Sequence, residues 1–217
     1  MSEYDFIIVG AGSAGSALAN RLTENPDNRV LLLEAGGADS HPWVRIPMGY
    51  GKVFYDQRVN WKYTTEPNKT LDGNRIYWPR GKVMGGSSSI NAMVYVRGHP
   101  QDYDHWAKDA PGWSWTDVAP VFKQMENWLG APSPDRGNDG PLSVRDIADD
   151  AHPLCTNYLK AAEQAGFAFN PDYNSGQMEG AALYQITTKD GLRASAARAY
   201  ITPVQHRSNL TPVSYTH

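Results

Sequence analysis

Three glycines near the N-terminus have a spacing that could do chemistry. Gly10, Gly12 and Gly15 form the pattern Gly-x-Gly-x-x-Gly. In a nucleotide-binding turn the first glycine permits a tight turn and the second leaves room for a pyrophosphate beside the backbone. The third lets the following helix pack closely on the strand. The pattern predicts dinucleotide binding, and the competing interpretation is a tight strand-to-helix junction that binds nothing.

The elements that must hold this turn follow from the flanking residues. Residues 6–9 are a short apolar run rich in β-branched side chains, which predicts a parallel strand buried on both faces. Residues 16–24 carry apolar side chains at helical spacing, and residues 29–33 predict a second buried strand. The first N–H groups of such a helix can hold a phosphate without a lysine. The three segments together predict a β-α-β unit.

An acidic residue closes this unit. Glu34 follows Gly15 by nineteen positions and ends the second predicted strand. A carboxylate at that place accepts hydrogen bonds from ribose hydroxyls and repels a 2′-phosphate. This disfavours NADP and leaves both FAD and NAD as candidate cofactors.

A second glycine-containing stretch covers residues 78–91. Gly85 and Gly86 give a backbone that a flat ring or a phosphate can approach closely, and serines 87–89 with Asn91 supply small hydrogen-bonding groups. The alternative interpretation is a flexible linker. It is weakened because the apolar residues 92–96 follow directly.

The two stretches together resemble the glucose-methanol-choline (GMC) oxidoreductases, most closely their bacterial choline and alcohol dehydrogenase-like members. The resemblance extends from Tyr4 to about Leu210. The residues that carry it are the first glycine pattern with Glu34-Ala35-Gly36, then Arg80-Gly81-Lys82-Val83-Met84-Gly85-Gly86-Ser87-Ser88-Ser89-Ile90-Asn91, and finally Arg97-Gly98 with Asp102-Tyr103-Asp104-His105-Trp106.

This resemblance implies FAD as the cofactor. Members with covalently attached flavin have a histidine immediately before the asparagine of the second motif, where this chain has Ile90. The resemblance therefore implies that FAD is bound without a covalent bond. The resemblance assigns to the pyrophosphate Gly10, Gly12, Ser13, Ala14 and Gly15. It assigns Glu34 to the adenosine ribose, with Ala35 as a neighbouring cofactor contact. It assigns to the flavin end Val83, Gly86, Ser87, Asn91, Ala92, Met93 and Val94.

The resemblance also implies a mixed α/β fold, with a Rossmann-like FAD-binding domain and the start of a substrate domain that contains an antiparallel sheet. We expect residues 1–137 in the FAD-binding domain, 138–192 in the substrate domain and 193–217 in a return toward the FAD-binding domain. Periodicity adds a hairpin of residues 60–65 and 75–78, helices at 102–108, 116–127 and 153–166, and strands at 141–145 and 182–188.

A flavin alcohol oxidoreductase needs a base that takes the hydroxyl proton while hydride passes to flavin N5. In the GMC family this base is a histidine near the C-terminus of a chain more than twice as long, and none of the six histidines here matches it. We therefore expect the N-terminal part of an FAD-dependent enzyme that oxidises the CH–OH group of an alcohol, inactive by itself and without a catalytic residue. The alternatives are an FAD-containing hydroxynitrile lyase of the same fold and a truncated chain that only binds FAD.

Composition limits the partners. A formal net charge of −3 without a cluster of Lys and Arg argues against nucleic acid. The sequence contains no run of about 18 apolar residues and therefore does not indicate membrane association, although association of a longer parent protein stays open. The single cysteine suits a reducing compartment, so we expect a cytoplasmic protein. The expected partners are a small-molecule alcohol and oxygen or a quinone as electron acceptor, and no metal is expected.

The last residues depart from the family pattern. GMC members continue into an apolar strand after the positions of Leu210 and Thr211, whereas residues 212–217 do not read as one. We expect no strand there and a segment that is not native.

Overall fold

The computed structural model describes residues 3–214 as a mixture of short helices and strands. The α-helices are α1 (Ser13–Leu22), α2 (Pro42–Arg45), α3 (Tyr50–Val53), α4 (Pro100–Trp106), α5 (Trp115–Met125) and α6 (Pro153–Gln164). The strands are β1 (Phe6–Val9), β2 (Val30–Glu34), β3 (Tyr63–Thr64), β4 (Tyr77–Trp78), β5 (Glu126–Trp128), β6 (Leu142–Val144), β7 (Thr188–Lys189), β8 (Leu192–Arg193) and β9 (Leu210–Ser214). The chain also forms short 3-10 turns at Gly86–Ser89 and Thr202–Val204 and a π-helix at Ala197–Ile201.

The chain forms two compact units. The first contains the residues up to Met93 and those from Asp190 onward, and the second contains Val94–Lys189. These limits differ from the boundaries after residues 137 and 192 that the sequence suggests. The assignment of cofactor and substrate domains to those ranges stays a prediction.

A parallel sheet in the order β1-β2-β9 forms the centre of the first unit. Phe6 pairs with Val30, and Val30 pairs in turn with Leu210. Helix α1 connects β1 to β2, so the predicted β-α-β unit is confirmed. Apolar residues of the sheet, of α1 and of residues 201–204 pack into one core, formed by Ile8, Ala11, Ala19, Val30, Leu32, Ile201, Val204 and Leu210.

Two predictions about this sheet are wrong. Strand β1 is not buried on both faces, because it lies at the edge of the described sheet and leaves Ile7 61% and Val9 84% exposed. The expectation of no strand after Thr211 also fails, since Leu210–Ser214 form β9 and pair along β2. A central strand such as β2 presents a free hydrogen-bonding edge that an extended neighbour can fill even when its sequence includes a proline. Residues 215–217 lie outside the described residues.

The remainder of the first unit surrounds the second glycine stretch. Strands β3 and β4 pair antiparallel, with Tyr63 opposite Trp78, which confirms the predicted hairpin with shorter strands. A second apolar core packs the segment around α2 and α3 against the glycine stretch, and consists of Val44, Val53, Val59, Val83 and Ile90.

The second unit contains α4, α5 and α6 at the predicted places, although α5 ends at Met125 because Glu126 begins β5. The predicted antiparallel sheet is only partly present. Strands β5 and β6 pair in parallel, and antiparallel pairing occurs as isolated bridges from Ile186 to Val94 and to Arg145. The strand predicted at 182–188 is correspondingly reduced to the bridges of Ile186 and the start of β7.

Buried charges hold the second unit together. The fully buried Glu126 carboxylate accepts hydrogen bonds from Arg97 Nη2 at 2.5 Å and from Arg136 Nη2 at 2.6 Å. Arg136 also contacts Asp172 at 2.8 Å, and its guanidinium lies 3.9 Å from the centroid of the Trp128 ring. Segments that are far apart in sequence are therefore joined by one ionic cluster.

Candidate functional site

The first glycine pattern forms a tight turn between β1 and α1. Gly10 has φ +96°, a left-handed conformation that favours glycine. A Cβ on Gly15 would lie 1.9 Å from the Gly10 carbonyl oxygen, so only glycine lets α1 approach the strand this closely. A Cβ on Gly12, in contrast, would meet no protein atom within 4 Å. The roles predicted for Gly10 and Gly15 match this geometry, and the space at Gly12 is open on the protein side.

Glu34 closes the turn from the end of β2. The residue is 7% exposed, and its carboxylate accepts hydrogen bonds from the backbone N–H of Ala11 at 2.9 Å and from that of Gly36 at 2.8 Å. The sequence assigns Glu34 to a ribose only, whereas the structure also gives it this structural task. Each carboxylate oxygen has a second lone pair that a ligand hydroxyl could use.

The second glycine stretch lies directly against the first. The Gly85 N–H donates to the Ala11 carbonyl at 2.7 Å, and a Cβ on Gly86 would lie 2.8 Å from Gly12 Cα. Both Gly85 and Gly86 have positive φ, +88° and +55°. The linker interpretation is therefore wrong: this stretch is an ordered turn packed on the nucleotide-binding pattern.

A pocket of about 680 Å³ opens where the carboxyl ends of the parallel strands meet the two glycine stretches. It contains six of the predicted site residues, namely Gly10, Gly12, Glu34, Ala35, Gly86 and Ser87. The other residues of its lining are Val9, Leu33, Trp61, Tyr63, Arg80, Gly81 and Val213.

Three residues that sequence analysis did not assign to the site form one wall of this pocket. Trp61 and Tyr63 stack with ring centroids 5.8 Å apart, and Arg80 lies beside them in the lining. Lys82 Nζ lies 4.7 Å from the centroid of the Trp61 ring. The alternation of aromatic residues in the hairpin was a usable signal, but the sequence does not show which face of a hairpin is turned to a pocket.

The remaining predicted site residues do not line this pocket. Ser13, Ala14 and Gly15 form the first turn of α1, Val83 and Met93 are buried, Asn91 and Ala92 are exposed, and Val94 belongs to the second unit. Their assignment to a cofactor stays a prediction.

Asn91 is held by residues around it. Its Oδ1 accepts hydrogen bonds from the Met93 N–H at 3.0 Å and from Arg193 Nη1 at 2.8 Å. Met93 is one of four non-glycine residues with positive φ among residues 3–214. Burial lowers the pKa of the Arg193 guanidinium to about 10, which leaves it charged at neutral pH.

Three histidines have structural tasks. His41, His99 and His152 each precede a proline at the first position of a helix. Each Nδ1 accepts the backbone N–H two residues later, at 3.1–3.2 Å. Nδ1 of each ring is therefore used as an acceptor, and no histidine among residues 3–214 lines the pocket.

Residues 3–214 contain neither a candidate metal site nor a candidate membrane-spanning helix. No group of three or more His, Cys, Asp or Glu side chains there could hold a metal ion. No helix in this part of the chain has the length and apolar character needed to cross a membrane.

Known proteins resemble this chain over nearly its whole length. The chain is 47% identical over 209 residues to an oxygen-dependent choline dehydrogenase of Rhizobium rhizogenes, covering 96% of this chain and 38% of the relative. It is 44% identical over 217 residues to an alcohol dehydrogenase [acceptor] of Pseudomonas putida, covering 99% and 39%. The crystal structure of pyridoxine 4-oxidase from Mesorbium loti superimposes with a TM-score of 0.93 and 36% identity, covering 98% of this chain and 42% of that one.

The chain thus spans about two fifths of the length of these relatives. The family model described as GMC oxidoreductase matches residues 4–216, which include both glycine stretches and the pocket between them. The chain belongs to the GMC oxidoreductase family.

Proposed function

We propose that this chain binds FAD without a covalent bond and is part of an enzyme that oxidises the CH–OH group of an alcohol. The observation that carries the proposal is the contact of Gly86 with Gly12, which brings both glycine stretches to one pocket beside Glu34. Family membership supports FAD over NAD. The similarity to choline and alcohol dehydrogenases supports an alcohol substrate.

The residues present fit such a cofactor. The open space at Gly12 admits a pyrophosphate, and the N–H groups of Ser13 and Ala14 at the start of α1 would face it. Glu34 would accept a ribose hydroxyl with its remaining lone pairs, beside Ala35. Val83, Gly86 and Ser87, with residues 91–94, would contact the flavin end. Ile90 offers no imidazole for a covalent bond.

The cofactor and the residues of this chain would contribute different parts of the reaction. Bound FAD supplies the hydride acceptor of the reaction. The residues of this chain would bind and orient the cofactor. We do not propose His41, His99 or His152 as the base, because each of these rings already uses Nδ1 as an acceptor at a helix N-terminus. Oxygen or a quinone would take up the electrons, and the single cysteine supports a cytoplasmic location.

Anaerobic reduction of the purified protein that carries this chain tests the proposal. We expect choline, benzyl alcohol or a short alkanol to bleach the bound flavin, and acid denaturation to release yellow flavin into the supernatant. Flavin that stays with the precipitated protein would contradict non-covalent binding. Unchanged flavin together with cyanide release from a cyanohydrin would show a hydroxynitrile lyase, and absence of bound flavin would reject the cofactor.

A further inference from the structure

Arg193 is a buried cation that contacts two segments of the first unit, the one around Val44 and the second glycine stretch. Only 3% of the residue is exposed. Its Nε donates to the Val44 carbonyl at 2.9 Å, and Nη1 donates to the Ser88 carbonyl at 3.1 Å and to Asn91 Oδ1 at 2.8 Å. No ion pair found among residues 3–214 includes it. Its charge is therefore stabilised by amide oxygens alone. Removing such a charge from water costs free energy, which these hydrogen bonds must offset.

These contacts determine the orientation of the Asn91 side chain. Arg193 Nη1 and the Met93 backbone N–H can only donate hydrogen bonds, so the atom between them must be the Asn91 carbonyl oxygen. The Nδ2 group is consequently turned away from Arg193. Asn91 as a residue is exposed, so a ligand can approach its side chain.

The positive charge also changes the strength of this donor. A charged donor on the amide oxygen polarises the amide, and polarised groups in a hydrogen-bonded chain form stronger bonds at their other end. Only a planar guanidinium offers donors in the fixed directions of the Val44, Ser88 and Asn91 oxygens, and the ammonium group of a lysine does not.

We infer that Arg193 is a positioning residue for cofactor binding, which fixes the Asn91 amide so that Nδ2 donates to an acceptor atom of FAD. This inference rests on the proposed function. Arg193 acts through Asn91, so the two side chains contribute to FAD affinity as one unit.

A double-mutant cycle on FAD affinity tests this coupling. FAD is titrated into the apoprotein of the full-length protein that carries this chain, as the wild type, Asn91→Ala, Arg193→Lys and the double variant. We expect each single variant to weaken FAD binding roughly 3- to 10-fold, as for one hydrogen bond. The Kd of the double variant should not exceed the larger of the two single-variant Kd values. The visible absorption of the bound flavin should change alike in all three. Independent effects that multiply would overturn the inference.

Arg198→Lys is the matched control. Arg198 is paired with Asp39 through Nε at 2.6 Å and Nη2 at 2.8 Å and makes no hydrogen bond to Asn91. Its effect on FAD affinity, whatever its size, should multiply with that of Asn91→Ala. Coupling of equal size in this pair would show a general effect of packing and would contradict the special role of Arg193.

A second variant keeps the test valid if Arg193→Lys does not fold. Asn91→Asp preserves the acceptor for Arg193 and Met93 but removes the outward N–H donor. We expect unchanged or increased thermal stability of the apoprotein and at least roughly tenfold weaker FAD binding. Wild-type affinity in this variant would overturn the inference while leaving the proposed function intact. A wild-type protein that binds no FAD would reject both.

Discussion

Gly12 and Gly15 are only three positions apart, yet the protein restricts them in opposite ways. A Cβ on Gly15 would collide with the Gly10 carbonyl, whereas a Cβ on Gly12 would have no protein atom within 4 Å. Gly12 also has φ −71° and ψ −166°, which alanine adopts readily. The protein itself therefore does not require glycine at position 12, and only a ligand beside Gly12 could impose that requirement.

Gly12→Ala should lower FAD affinity without destabilising the apoprotein. We expect a loss of about 1–3 kcal/mol in binding, as for overpacking, which is roughly 5- to 150-fold in Kd. The free energy of unfolding without FAD should change by less than about 1 kcal/mol. Flavin titration and thermal unfolding of the full-length apoprotein that carries this chain measure both quantities.

Gly51→Ala is the control for this substitution. Gly51 also has no atom within 4 Å of a built Cβ, but it lies in α3 and outside the pocket lining. Its FAD affinity should equal that of the wild type. If Gly12→Ala behaved in the same way, the pyrophosphate would not bind beside Gly12.

Helix α1 depends on a close contact with the turn that precedes it. Besides the Gly10 oxygen at 1.9 Å, a Cβ on Gly15 would lie 3.2 Å from the Ile8 side chain. Backbone cannot move aside as a flexible side chain can, so an added methyl group must push the helix away from β1. The same helix carries Ala19 into the core of the sheet.

Gly15→Ala should destabilise the apoprotein itself, in contrast to Gly12→Ala. We expect a loss of about 1–3 kcal/mol in the free energy of unfolding, because the substitution overpacks a closely packed junction. Chemical denaturation of the two variants side by side measures the difference. Equal stability of both would show that α1 does not rest on β1 through Gly15.

The second unit has a different source of order, which is the ionic cluster around Glu126. Four donors reach its carboxylate: Arg97 Nη2, Arg136 Nη2, Arg136 Nε and the Gly137 N–H. Glu126 is fully buried, so none of these groups can exchange its partner for water.

Glu126→Gln should destabilise the protein by about 3–5 kcal/mol, because it leaves buried arginine charges uncompensated. Thermal unfolding followed by tryptophan fluorescence is a suitable measurement, since Trp128 lies against Arg136. Glu66→Gln provides the matched control, because Glu66 is 90% exposed and its contact with Arg75 is 3.4 Å long. A loss below about 1 kcal/mol in Glu126→Gln would contradict the role of the cluster.

Among residues 3–214 the main sheet ends in β1 on one side and in β9 on the other, and neither strand has a partner on its outer side. Strand β1 has no partner on its outer side among residues 3–214, and its side chains Phe6, Ile7 and Val9 are exposed. An exposed, apolar strand edge can pair with other chains. We therefore expect this 217-residue chain, expressed alone, to aggregate even with added FAD, and not to oxidise alcohols.

Ile7→Lys should increase the soluble fraction of the chain, because lysine on an edge strand opposes pairing between chains. The change in thermal stability should stay within about 0.5 kcal/mol, as for a surface position. Ile8→Lys is the contrasting variant, since Ile8 is 7% exposed and belongs to the core, and it should prevent folding. Light scattering of the three proteins at equal concentration decides the matter, and equal scattering of Ile7→Lys and the wild type would argue against β1 as the aggregating edge.

The local elements of the first unit could be predicted because neighbouring residues determine them. The apolar runs at β1 and β2, the glycine turn and the helix α1 follow from short-range sterics and periodicity. The sequence also predicted that Glu34 ends β2 and that a hairpin, observed as β3-β4, lies within residues 60–78. These are the parts in which the sequence and the structure agree most closely.

Only the tertiary structure decided which residues meet. The contact of Gly86 with Gly12, the use of Glu34 as an acceptor for Ala11, and the contact of Arg193 with Asn91 join segments more than twenty residues apart. The edge position of β1 and the pairing of β9 with β2 likewise depend on which strands are available as neighbours. Such contacts arise from long-range packing and chain closure, which no local pattern records, because the energy of a side chain depends on neighbours that are distant in sequence.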